Sequence, residues 1–170
     1  MAHHVAVVTW DRFDAAFTDN RYSRAHRWTF DGGATIPASS SPHVVPVPLS
    51  DPLGVDPEEA FVASLSSCHM LWFLSIAAGR GFVVDSYEDH AVGTMAPDAS
   101  GRLAMTRVAL RPSIAFSGSS RPTGEDIAAM HDEAHHSCFL ANSVRTDVVV
   151  EHERTTTSRL RKPKAAARSA

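Results

Sequence analysis

From residue 56 onward, apolar side chains recur at steps of three and four. Phe61, Leu65, Cys68, Trp72 and Ile76 form one stripe, the period of an amphipathic helix. Asp56 is suited to cap its N-terminus, Pro57 fits the first helical position, and Glu59 completes a capping box. Gly79 and Gly81 end it. The positions beside the stripe (Ala60, Val62, Ala63, Ser64, Met70, Leu71, Phe73) are also apolar or small. The helix is therefore expected to be buried on most sides, at the centre of the fold or at a subunit interface. A second helix is predicted over residues 125–139, with Thr123 and Asp126 as its capping box and Ile127, Met130, Ala134 and Cys138 on its apolar face.

Other stretches read as strands. Residues 3–10 are rich in valine, and residues 24–31 alternate, with Ala25, Arg27 and Thr29 on one side and His26, Trp28 and Phe30 on the other. Asp31-Gly32-Gly33 supplies a turn. Residues 37–57 hold six prolines, which predicts an extended surface loop. Residues 83–95, residues 103–118 (one strand bent at Pro112) and residues 144–153 complete the set. Short connections favour hairpins and antiparallel sheet, so the fold class is α+β.

The length of 170 residues suits one domain with a real core, and the 44% hydrophobic and 21% charged fractions suit a globular protein. No uninterrupted apolar run reaches the roughly 18 residues of a membrane span, and the N-terminus lacks the pattern of a signal peptide. A cytoplasmic location and no membrane partner are the expectation. Six of the 16 basic residues and none of the 19 acidic ones fall in residues 154–170. A body this acidic argues against nucleic-acid binding. The basic tail is expected to be a disordered, solvated end beyond a single domain at 1–153.

The candidate chemistry is in two cysteines, Cys68 and Cys138. Two are too few for a disulfide scaffold. A buried free cysteine ordinarily acts as a small hydrophobe. Here both thiols are predicted on inward helical faces, within the polar, histidine-bearing segments SLSSCHM and AHHSCFLANS. Two thiols are also what a peroxidatic and resolving pair requires, and a nearby cation would favour the reactive thiolate.

These segments resemble the OsmC/Ohr family of thiol-dependent peroxidases, which reduce organic hydroperoxides. Asp56-Pro57-Glu58-Glu59 followed by AFVASLSSC resembles that family's Asn/Asp-Pro-Glu motif and first cysteine on a long helix. AHHSCFLANS resembles the segment around its second cysteine, and SRAHRWTFDGG its arginine-bearing N-terminal hairpin. The resemblance runs from residue 5 to about residue 152. It implies antiparallel sheets wrapped around two central helices, in an interlocked homodimer with active sites at the subunit interface.

The resemblance further implies that Cys68 attacks the peroxide, releases an alcohol and becomes a sulfenic acid, and that Cys138 condenses with it to a disulfide. A dithiol reductant, for which a lipoyl-type group is one option, would restore both thiols. No metal or other cofactor is implied. An arginine held by Glu58 would stand beside the first sulfur. Arg24, nine residues before Gly33, matches the family's spacing, with Arg21 and Arg27 as alternatives. About ten helical residues rise roughly 15 Å, so Glu58 cannot touch Cys68 on its own straight helix. Either the arginine reaches between them or Glu58 serves the partner subunit.

Phe61, Leu65, Trp72 and Phe139 are expected to wall a substrate pocket that rewards an alkyl group. The chain departs from the Ohr branch in having Phe139-Leu140 where that branch has Pro-Tyr, and in its longer proline-rich loop. Three other readings remain. One is a non-catalytic ligand-binding or structural member of the fold, with thiols that only pack. Another is a zinc site drawn from Cys68, His69, His135, His136 and Cys138, with His131 and His135 as a separate i, i+4 pair that also suits a metal. A third is a hydrolase using Cys68 and His69, although adjacent helical residues point about 100° apart.

Overall fold

The computed structural model describes residues 1–151, so the expected basic tail and the end of the last predicted strand lie outside the described residues. The chain opens with β1 (Ala6–Thr9), β2 (His26–Phe30) and β3 (Thr35–Ala38), an antiparallel sheet in the order β1-β2-β3. The turn at Gly33, with φ of +86°, joins β2 to β3 in the left-handed region that glycine tolerates. Along β2, Arg27 is exposed while His26 and Trp28 are half-buried, as the alternation predicts.

The proline-rich loop is less of a surface feature than its composition implies. Ser39, Ser41 and Ser50 are buried. The loop folds back on β3, with Ser39 N–H donating to the Val55 carbonyl and Val55 N–H to the Pro37 carbonyl, at 3.1 and 3.0 Å. Ser39 Oγ accepts from Asp51 N–H at 2.9 Å. A Cβ at Gly54 would lie 2.9 Å from the Ala38 backbone, so this close approach requires glycine.

Helix α1 (Pro57–Gly79) begins as predicted, with the Asp56 side chain accepting from Glu59 N–H and the Glu59 side chain accepting from Asp56 N–H. By length and composition this helix would suffice to cross a membrane, with a mean hydropathy of 1.6 over its most apolar window. The buried positions are Leu65, His69, Phe73 and Ala77, an i+4 row that shares Leu65 with the predicted stripe and then runs one residue past it. A helix that is apolar nearly all round has no single apolar face to predict, so its neighbours decide which side is buried. Within one chain much of the rest stays open, Leu71 being 61% exposed.

Two predicted strands each prove to be two. Residues 83–95 divide into β4 (Val83–Asp89) and β5 (Val92–Pro97), and residues 103–118 into β6 (Leu103–Leu110) and β7 (Pro112–Ser117). The pairings Asp89 with Pro112 and Val92 with Ala109 show one long hairpin broken midway. Asp89 fastens the break. Its carboxylate accepts from Arg111 N–H at 2.6 Å and from the Ser66 hydroxyl of α1 at 2.5 Å.

Helix α2 (Gly124–Ser137) starts with the predicted Thr123/Asp126 capping box and packs on α1. A 3-10 turn (Ala141–Ser143) leads to β8 (Asp147–Val150). β8 pairs parallel to β6, giving the order β5-β6-β8. This sheet is therefore mixed, where an antiparallel one was expected, while the other two are antiparallel. The long α2 crossover returns the chain in the same direction, which a tight hairpin cannot do. Two apolar clusters complete the core: Phe73, Ala77, Met130 and Ala134 between the helices, and Leu65, Val108 and Leu110 between α1 and the sheet.

Asp89→Ala removes two hydrogen bonds at the break and leaves the Arg111 N–H without its acceptor. Unfolding in urea should show a loss of about 2 kcal/mol, and an unchanged midpoint would refute this role.

Candidate functional site

The packing of α1 on α2 brings Cys68 and Cys138 together. Cys68 is half-exposed on α1, and both cysteines are free. Cys138 is 1% exposed and caps the C-terminus of α2, where the backbone turns extended with φ of −67° and ψ of 110°. Cys68 lies close enough to Cys138 to act on its thiol. Burial above all, and then Cys68, push the Cys138 thiol upward from its ordinary value, while the N–H groups of Ala141 and Leu140 act in the opposite sense. Cys138 Sγ accepts from Ala141 N–H at 3.4 Å. The turn around it is tied down as Asn142 Nδ2 donates to the His136 carbonyl at 2.9 Å and Ser143 Oγ to the Phe139 carbonyl at 2.7 Å.

Cys68 opens on a cavity of about 570 Å³ whose walls include Leu71, Trp72, Phe139 and Leu140, with hydroxyls from Ser64, Ser67 and Ser75. Trp72 and Phe139 meet edge to face, their ring centroids 5.5 Å apart. Two expected pocket residues are thus at the thiol and two are not. Leu65 is buried in the cluster with Val108 and Leu110, and Phe61 packs against that cluster. They stand one and two turns before Cys68 on α1, and the sheet claims that side.

Glu58 opens on a different and larger cavity of about 1040 Å³, on a neighbouring face of α1. Ser67 is on the ridge between the two cavities and borders both. Arg24 is engaged by its own segment. Its guanidinium donates to the Asn20 carbonyl at 3.1 Å, to Asn20 Oδ1 at 2.7 Å and to the Tyr22 carbonyl, and lies 3.8 Å from the Tyr22 ring centroid. Arg21 and Arg27 are exposed. Among the described residues, no arginine and no carboxylate lines the cavity at Cys68. One chain therefore assembles the two thiols and an apolar wall but does not bring Arg24 or Glu58 to that wall.

Two histidines that the sequence raised only as metal ligands, or for His69 as a hydrolase partner, pair with each other where α1 meets α2. His69 of α1 and His131 of α2 are buried, with His69 Nε2 and His131 Nδ1 2.9 Å apart. The rings stack at 5.2 Å, and His131 also packs on Phe73 at 4.4 Å. Burial first, and then the charge of His135, push His69 down to about 4, against a smaller opposing effect of Asp89. The imidazole is neutral at neutral pH. The available signal was weak: two histidines, each at a core step of its own helix. Among the described residues, no group of three or more His, Cys, Asp or Glu side chains is placed to hold a metal ion.

A family model described as OsmC-like protein matches residues 50–153. An OsmC-like protein of unknown function from Vibrio cholerae O1 biovar eltor is 59% identical, with a TM-score of 0.88 over 90% of this chain and 100% of that one. An organic hydroperoxide resistance protein from Elizabethkingia anophelis is 16% identical, with a TM-score of 0.64 over 89% of this chain and 94% of that one. The corresponding Bacillus subtilis protein is also 16% identical, with a TM-score of 0.60 over 89% and 98%. These last two share the fold. No curated protein matches the chain.

The unequal settings of the thiols predict unequal reactivity. Iodoacetamide at pH 8, followed by peptide mass spectrometry, should label Cys68 about tenfold faster than Cys138. The Cys138 rate should climb at higher pH than that of an ordinary thiol. Faster labelling of Cys138 would contradict this account.

Proposed function

Because the chain belongs to the OsmC-like family, we propose that it is a cysteine-based peroxidase that reduces organic hydroperoxides to alcohols. The observation that carries this reading is the proximity of the half-exposed Cys68 to the buried Cys138, whose thiol it acts on. Cys68, as thiolate, attacks the distal oxygen of the hydroperoxide. The O–O bond breaks, the alkoxide leaves as alcohol on taking a proton, and Cys68 becomes a sulfenic acid. The Cys138 sulfur then attacks that sulfur, water leaves, and a Cys68–Cys138 disulfide remains. A dithiol reductant reopens it by exchange. Burial suits Cys138 to the second step, since a protonated, enclosed thiol is a poor competitor for peroxide in the first.

The apolar wall of Leu71, Trp72, Phe139 and Leu140 favours an alkyl or aryl hydroperoxide over hydrogen peroxide. The guanidinium that holds Cys68 ionised comes from Arg24, braced by Glu58, and these groups meet the thiol across a homodimer interface. The open apolar flank of α1 around Leu71 and the placement of Glu58 on a separate cavity support that arrangement. A working thiol pair also suits a reducing compartment such as the cytoplasm. A non-catalytic ligand-binding role is the second reading, favoured by the cavity of about 1040 Å³ beside Glu58.

Cumene hydroperoxide reduction with a dithiol donor tests the assignment. Cys68→Ser should abolish turnover, whereas a binding protein would show no turnover to lose. Cys138→Ser should consume one equivalent of peroxide and accumulate a sulfenic acid that dimedone traps. Arg24→Ala should lower turnover about a hundredfold, the order seen when a group that stabilises developing charge is removed. Undiminished turnover by Cys68→Ser would end the peroxidase reading.

A further inference from the structure

The buried imidazole pair has no part in the chemistry above, yet it ties together the two helices that carry the thiols. His69 follows Cys68 directly on α1, and His131 precedes Cys138 by seven residues on α2, two turns along the same face. Around the pair the helices otherwise touch through Phe73, Ala77, Met130 and Ala134. Apolar contacts of this kind tolerate small slides, and packed helices shift by about 1–2 Å in conformational transitions. Disulfide formation is less tolerant, with Cα separations confined to roughly 4.4–6.8 Å.

We propose that the His69–His131 hydrogen bond is a positioning device that fixes the register of α1 on α2 and thereby sets how readily Cys68 and Cys138 close into a disulfide. Burying two imidazoles where two leucines would pack costs stability, and a directional polar bond inside an apolar interface is an established way to specify register. The bond joins Nε2 of one ring to Nδ1 of the other, so it fixes the rotation of each helix as well as its height. His69 is held neutral by burial, with His131 and His135 of α2 and Asp89 of β4 as the titratable groups acting on it. Neither imidazole is a catalytic residue, because each acts through the packing of its helix. The inference rests on the reading above only in taking the two thiols as a working redox pair.

Diamide separates this inference from peroxidase activity. It removes two electrons and two protons from the thiols of Cys68 and Cys138, the S–S bond forms, and the azo bond is reduced to a hydrazine. Closure is followed by loss of free thiol, and the disulfide potential by equilibration with a dithiol buffer. His131→Asn keeps a polar group near the Nδ1 position, while His131→Gln places it one methylene too far. Closure in His131→Asn should stay within about twofold of wild type, and closure in His131→Gln should slow about tenfold. If reopening is unaffected, that tenfold change in the exchange equilibrium raises the disulfide potential by about 30 mV.

His131→Leu should behave like His131→Gln if it folds, and the Asn and Gln variants decide the matter without it. Equal closure rates in Asn and Gln variants, or a wild-type protein that forms no disulfide with diamide, would overturn the proposal. Should wild type close its disulfide with this histidine dependence yet consume no hydroperoxide, the positioning role stands and the peroxidase reading falls.

Discussion

The structure depends on one approach made by two helices: α1 packs on α2 closely enough for Cys68 to act on the Cys138 thiol. Each helix is fixed at its start by a capping box, Asp56 with Glu59 and Thr123 with Asp126. Those boxes set where each helix begins, and hence at what height each cysteine stands. The bent hairpin of β4 to β7 supports α1 from one side, and Asp89 joins the bend to Ser66. Two residues beyond Ser66 comes Cys68, so the sheet braces the same stretch of helix that carries the thiol.

The approach is unsymmetrical, and that asymmetry gives two like side chains different chemistry. Cys68 stands in a helix beside an apolar hollow open to a small molecule. Cys138 stands where the helix has ended, enclosed and biased toward the thiol. Its backbone is already extended, so its sulfur can move toward a neighbour without unwinding a helical turn. Environment alone separates a group that meets the oxidant from one that meets only the first sulfur.

What could be read from the sequence was local. The caps, the extent of α1 and the turn at Gly33 are each specified within a few residues, and the sequence predicted them. The two cysteine segments carried the family resemblance for the same reason. What could not be read depends on partners distant in the chain. Beyond Leu65 the inward row of α1 falls one residue away from the predicted stripe, because an all-round apolar helix leaves the choice to its neighbours. His69 lies in that row only because His131, 62 residues later, satisfies its ring nitrogen. The break in the long hairpin needs Asp89 to meet Arg111, and the parallel pairing of β8 follows from the α2 crossover. Arg24 matched a spacing, but within one chain its guanidinium is occupied by Asn20 and Tyr22.

The start of α1 separates two adjacent glutamates. Both border the larger hollow, but Glu59 spends its carboxylate on the Asp56 backbone, whereas Glu58 hydrogen-bonds to no other described side chain. Successive helical residues are about 100° apart around the axis. Losing or gaining one residue between the aspartate and the second glutamate would therefore do more than weaken the cap. It would turn the unspent carboxylate by that angle relative to the hollow, so the spacing of this short acidic segment encodes a direction as well as a helix boundary.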